Sequence, residues 1–142
     1  GFEADLSGQL TSAWSITASY GYNDARITRS VVATTPVGSR FPNAPRHKAG
    51  LWSRYNFPRL NLGFALGATH VGERPNFTGA QNYPGPAYTI YQGALYYRWQ
   101  RTQFALKVEN LTDKVYSRSV LGGEGHFPGA PRTFTFSATQ RW

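Results

Sequence analysis

Along residues 14–23 the chain alternates with a period of two. Trp14, Ile16, Ala18, Tyr20 and Tyr22 are apolar or aromatic, whereas Ser15, Thr17, Ser19, Gly21 and Asn23 are small or polar. Successive side chains of a β-strand point to opposite faces, so such a segment has one greasy face and one wet face. The pattern returns in Leu60, Leu62, Phe64, Leu66 and Ala68 against Asn61, Gly63, Ala65, Gly67 and Thr69. It returns again in Phe134, Phe136 and Ala138 against Thr133, Thr135, Ser137 and Thr139. Weaker alternation marks 2–7, 91–99 and 104–109. Segment 47–55 is ambiguous, because Trp52 has the opposite parity from Leu51 and Tyr55. These segments predict seven strands and no helix.

The connections alternate in length. Short turns are expected at 11–13, 56–59 and 100–102, and long polar segments at 28–45, 72–87 and 112–131. A soluble sandwich has no reason to gather its long loops at one end, whereas a barrel of the bacterial outer membrane has short periplasmic turns and long external loops. Aromatics follow the same division. Trp14, Tyr55, Trp99 and Trp142 stand beside short turns or at the last residue, and Tyr20, Tyr22 and Phe134 stand toward the long loops. Two aromatic bands separated by aliphatic strand centres match the interfacial girdles of a membrane barrel. The expected fold is therefore all-β, an antiparallel transmembrane β-barrel segment. Seven strands do not close a bacterial single-chain barrel, which uses an even number, so the remaining wall is expected from sequence preceding Gly1.

Composition adjusts this picture in three places. Without Met the chain lacks an initiator residue and reads as a piece of a longer product, so a missing signal peptide says nothing about export. Without Cys there is neither a disulfide scaffold nor a thiolate metal site. Fifteen basic against seven acidic residues give +8, but the cations run from Arg26 to Arg141 with no like-charge cluster, which argues against a nucleic-acid partner. No segment approaches the ~20 apolar residues of a membrane helix, so a bilayer would be crossed by strands.

Several motifs carry a family pattern. Asn110-Leu111-Thr112-Asp113-Lys114-Val115-Tyr116 resembles an Asn-Leu-(Phe/Thr)-Asp-Lys-x-Tyr element of TonB-dependent receptors. Gly129-Ala130-Pro131-Arg132-Thr133-Phe134 and the alternating segment ending at Trp142 resemble that family's final strand. Residues 18–25 (Ala-Ser-Tyr-Gly-Tyr-Asn-Asp-Ala) and 42–47 (Pro-Asn-Ala-Pro-Arg-His) are similar to its ferric-siderophore branch.

The resemblance implies that 1–142 is the C-terminal portion of a barrel of about 22 strands, with the plug domain and earlier strands absent. It implies an outer-membrane receptor of a Gram-negative bacterium that binds a ferric siderophore and is energised through the TonB complex, by way of the absent N-terminal part. It also implies contact with outer-membrane lipids and lipopolysaccharide. Trp142 would be read by the barrel assembly machinery, or serve as an interfacial anchor. No cofactor is implied, since iron arrives inside the siderophore.

Site expectations follow. Pro131 fixes the backbone at a strand entry and Arg132 can grip carboxylates, with a solvated Arg at a turn as the bland alternative. Asn110 and Asp113 are suited to turning the chain by bonding nearby backbone, and Leu111 and Tyr116 complete their motif. In the long loops Arg74, Phe77, Tyr83, Tyr88, His126 and Phe127 mix cations with rings and are the ligand-contact candidates. His47, His70 and His126 lack metal-ligand spacing. No nucleophile elbow, zinc helix, phosphate loop or carboxylate pair is present, and an enzyme is not expected. Three alternatives stay open: the same barrel importing cobalamin, haem or a glycan; a smaller outer-membrane barrel with a rim site such as Glu73, Glu124 and His126; and a soluble all-β module.

Overall fold

The computed structural model describes residues 1–32, 36–78, 81–122 and 125–142, with backbone alone at 77, 78, 81 and 82. Seven long strands form one antiparallel sheet: β1 (Phe2–Gln9), β2 (Trp14–Tyr22), β3 (His47–Phe57), β4 (Leu62–Val71), β7 (Tyr88–Trp99), β8 (Thr102–Glu109) and β11 (Thr133–Gln140). Their order in space is β1-β2-β3-β4-β7-β8-β11, so each pairs with its successor in the wall. Two small hairpins unforeseen in the periodicity stand in the long connections, β5 (Phe77–Thr78) with β6 (Gln81–Asn82), and β9 (Ser117–Leu121) with β10 (Gly125–Pro128). No helix among the described residues is long and apolar enough to cross a membrane.

The register places each alternating set on a common face. Leu6↔Ala18, Ala18↔Leu51 and Leu51↔Ala68 are aligned across four strands, as are Phe64↔Leu95, Leu95↔Leu106 and Leu106↔Phe136. This face is inside out relative to a water-soluble core. Leu66, Leu95 and Phe136 are 55%, 58% and 68% exposed, whereas Ala65, Ala94 and Ala105 on the opposite face are 1%, 5% and 6% exposed. A continuous exposed apolar band of that extent would be a liability in water and is the required surface in lipid. The band is bounded by rings. Near the short turns Trp14 pairs with Tyr55 and donates its indole N–H to Ser53 Oγ at 2.8 Å, while Tyr55, Phe57 and Phe64 cluster with centroids 4.8 to 6.2 Å apart. At the other rim Phe2, Tyr20, Tyr22 and His47 pack together, Tyr20 Oη lying 2.8 Å from His47 Nδ1.

The ambiguity at Trp52 has a packing cause. Trp52 pairs with Thr17 and Gly67 on the wet face, and its ring lies over Gly67, where a Cβ would collide with it. The glycine across the pair makes room for an aromatic that the alternation alone does not accommodate. The turn between β3 and β4 also shifts from expectation. Pro58 starts a single 3-10 turn at Pro58–Leu60 and Asn61 adopts φ 54°, so β4 begins at Leu62.

Candidate functional site

The described parts of the long connections, 23–46, 72–87 and 110–132, lie at one end of the wall, and hydrogen bonds tie all three together. Asn43 of the first donates its N–H to Pro75 O in the second at 2.7 Å, and its Oδ1 accepts from Val120 N of the third at 3.3 Å. Arg74 joins the second to the third. It is 2% exposed, and its two terminal nitrogens donate to Arg118 O at 2.6 Å and Pro86 O at 3.0 Å. Its guanidinium carbon lies 5.2 Å from the centroid of Tyr88, whose ring packs against Tyr116 at 4.4 Å. Backbone bonds between Arg74 and Gly85 at 3.0 and 2.8 Å hold the arginine in place. Gly85 is required there, since a Cβ would sit 2.8 Å from Val120 Cγ1. Among the described residues no carboxylate pairs with Arg74, so backbone carbonyls and a ring face stabilise its buried charge.

A second set of bonds joins the end of β8 to the start of β11. Asn110 is buried in the left-handed region (φ 52°). Its Nδ2 donates to Lys114 O at 2.9 Å and Ala130 O at 3.1 Å, and its Oδ1 accepts from Lys114 N at 2.9 Å. Asp113, also at φ 52°, accepts Arg132 N on Oδ1 at 2.8 Å, and the Arg132 guanidinium lies 3.9 Å from Asp113 Oδ2 and 3.4 Å from Leu111 O. Tyr116 covers Gly129 and accepts its N–H at 2.8 Å. Leu111 donates its N–H to Tyr91 O. Pro131 O accepts from Thr133 Oγ1 at 3.0 Å as the strand begins.

At the root of the first loop, Asp24 bonds Arg26 and Arg46, both at 3.0 Å. These bonds, Arg26 first, hold the Asp24 carboxyl below its ordinary pKa. The described loops thus contain one ion-paired root, one buried arginine clasp and one asparagine lock.

Of the six loop residues singled out as ligand contacts, Arg74 and Tyr88 lie inside the clasp. His126 and Phe127 are exposed on β10, Phe127 at 47%, and Tyr83 is half-buried with its N–H bonded to Asn76 O. The Phe77 side chain and Glu124 lie outside the described residues. Trp142 is fully exposed. Sequence reasoning noticed Asn43 only as part of the 42–47 stretch and missed Gly85, Arg118 and Val120; all four acquire their role through contacts more than thirty residues away or across a loop.

A family model described as TonB dependent receptor-like, beta-barrel matches residues 1–111. The chain belongs to the TonB-dependent receptor family. It is 30% identical over 143 residues to the ferric-pyoverdine receptor PbuA of a Pseudomonas species, covering 96% of this chain and 17% of that protein. To the metal-pseudopaline receptor CntO of Pseudomonas aeruginosa it is 32% identical, over 98% of this chain and 20% of the relative. To the catecholate siderophore receptor Fiu of Escherichia coli it is 30% identical over the whole chain and 19% of the relative. The crystal structure of Fiu in its closed form superposes with a TM-score of 0.79 at 28% identity, over 96% of this chain and 20% of that one. This TonB-dependent receptor segment therefore spans about a fifth of the length of these three curated relatives. Its wall is part of an outer-membrane β-barrel, and its family consists of transport receptors.

Proposed function

We propose that the protein containing this segment imports a ferric siderophore across the outer membrane, energised through TonB, and that 1–142 supplies the C-terminal part of its barrel. The single observation that carries the reading is the arrangement at the loop-bearing end. Three long loops are fastened to one another above a lipid-exposed wall whose relatives are named receptors for metal chelates. Fastened loops can hold a preformed surface over a lumen, which lowers the ordering cost of binding a bulky ligand.

In this reading His126, Phe127 and Tyr83 are the ligand-facing candidates, while Arg74 and Tyr88 act by fixing the loops that present them. Iron enters already chelated, and no enzymatic step is assigned. The strands beyond the open edges of β1 and β11, and the domain filling the lumen, belong to the rest of the polypeptide. Lipopolysaccharide surrounds the loop end, and the assembly machinery engages the last strand.

The test is a deletion strain grown under iron limitation and supplied in turn with purified ferric siderophores of the catecholate and pyoverdine classes. Complementation by the full-length gene is expected to restore uptake of radiolabelled iron for one class. Restored uptake of cobalamin, haem or a glycan with no ferric siderophore would replace the reading with that cargo.

A further inference from the structure

The lipid face of the wall carries a recess. Gly93 stands midway along β7 with Leu66 of β4 on one side and Val108 of β8 on the other. Around it Leu66, Leu95, Leu106, Val108 and Leu111 line a groove of about 250 Å³ that no charged side chain enters. A glycine inside a strand weakens it and often marks the close approach of another molecule. Gly67 and Gly85 are kept small by Trp52 and Val120, but nothing in this chain demands the glycine at 93. An added Cβ there would meet Leu111 Cδ1 at 3.4 Å and Leu66 Cδ2 at 3.7 Å, which are ordinary contacts, and its φ is not in the left-handed region.

This face stays open in the complete barrel. β4, β7 and β8 are already paired along both edges, further strands add beyond β1 and β11, and the lumen lies behind the sheet. Irregular chain does not enter the hydrocarbon layer, so only lipid or a second membrane protein reaches the groove. The strands flanking β7 lie about 4.8 Å to either side, which leaves a cleft too narrow for a helix of about 10–12 Å and suited to a single methylene chain. Its end toward the long loops is polar and cationic. Leu111, which closes the groove, accepts Arg132 Nη1 on its carbonyl at 3.4 Å. The Arg132 side chain is 45% exposed, its carboxylate partner Asp113 is 3.9 Å away, and Lys114 is exposed on the same turn. On the other flank His70 and Thr89 share the lipid face and are hydrogen-bonded at 2.9 Å.

An apolar channel one chain wide, headed by a guanidinium that can fork onto phosphate oxygens, matches an acylated phosphate. We propose that the Gly93 groove seats one acyl chain of lipid A, the phosphorylated glycolipid of the outer leaflet, with a lipid A phosphate held by Arg132. The missing side chain at 93 makes the room, and Leu111 couples the seat to the Asn110 turn. The proposal rests on the outer-membrane placement of the wall and not on the cargo of the receptor.

The test titrates the purified, delipidated full-length receptor with bisphosphorylated lipid A and counts bound lipid by native mass spectrometry. Wild type is expected to hold one lipid more than Gly93→Phe, whose ring fills the groove, with the heat-resistant barrel band on gels the same for both. Arg132→Gln should raise the half-saturating concentration roughly tenfold. Lipid A stripped of its phosphates should show the same loss on wild type and no further loss on Arg132→Gln, so the wild-type arm tests the contact even where the variant assembles poorly. Equal lipid counts in wild type and Gly93→Phe would overturn the proposal, as would equal binding of phosphorylated and dephosphorylated lipid A. Phosphatidylglycerol filling the seat at the same concentration would replace lipid A with any anionic lipid. A wild-type dimer that Gly93→Phe abolishes would place a second copy in the groove instead. Siderophore uptake enters none of these outcomes, so failure of the import reading leaves the seat standing.

Discussion

Arg74 reaches the carbonyl of Arg118 at 2.6 Å across 44 residues of chain, and it does so while 2% exposed. Exposed arginines generally hold water or a carboxylate; this one is committed to the backbone of a neighbouring loop. Among the described residues its Nε has no hydrogen-bond partner, so the two terminal nitrogens carry the clasp. Replacing Arg74 with Met removes the charge and leaves Arg118 O and Pro86 O unpaired. The expected result is faster protease cleavage within 72–87 and 117–128 and about tenfold weaker ligand binding, with the heat-resistant barrel band on gels unchanged. Equal cleavage rates in variant and wild type would contradict a clasp.

Asn110 separates two contributions that one substitution confounds. Asn110→Ala loses three hydrogen bonds and forces a Cβ-bearing residue without a compensating side-chain bond into the left-handed region, for a cost of about 2–5 kcal/mol. Asn110→Gly loses the same bonds but relieves the strain. Urea unfolding of the detergent-refolded full-length protein should therefore rank wild type, Gly and Ala in falling order. Equal midpoints for Gly and Ala would assign the whole effect to the bonds.

Leu66 and Leu62 share a face but not a depth. Leu62 begins β4 beside a short turn, while Leu66 stands four residues further into the wall. Arginine at Leu66 is expected to impair insertion by ~2–4 kcal/mol, and at Leu62 by about 1 or less. Folded yield in lipid vesicles measures both, and an equal loss at the two positions would argue against this placement of the bilayer.

Gly67→Leu should evict Trp52 from its seat, because the added side chain occupies the space of the ring. The expected cost is about 1–3 kcal/mol of overpacking, with a red-shifted tryptophan emission as the indole enters water. An unshifted spectrum would mean that Trp52 does not rest on Gly67 in solution.

Asp24 makes the root of the first loop sensitive to acid. Its carboxyl titrates below the ordinary value in the folded protein. A group of this kind contributes stability above its unfolded pKa and loses that contribution as pH falls through the lowered folded value. Amide exchange at 24–46 is therefore expected to accelerate below the usual carboxylate range. Asp24→Asn should show the faster exchange already at neutral pH, with no further acid step.

Period-two alternation determined the strand architecture before any contact was known. A residue's parity decides whether it meets lipid or lumen, and a long-and-short sequence of connections assigns the two ends, so the seven-stranded wall was legible in Trp14–Tyr22, Leu62–Ala68 and Phe134–Ala138. The motif around Asn110 was legible for a similar reason, because its bonds are mostly local. Trp52 was not, since its parity made sense only with Gly67 opposite it on another strand. The loop clasp was less visible still. Arg74 looks like any loop cation until Arg118, Pro86 and Tyr88 surround it, and the stacking of Arg54 on Tyr96 joins residues 42 positions apart. Local alternation specifies a face; only strand register and loop crossing bring distant side chains within bonding distance, and those depend on the whole wall.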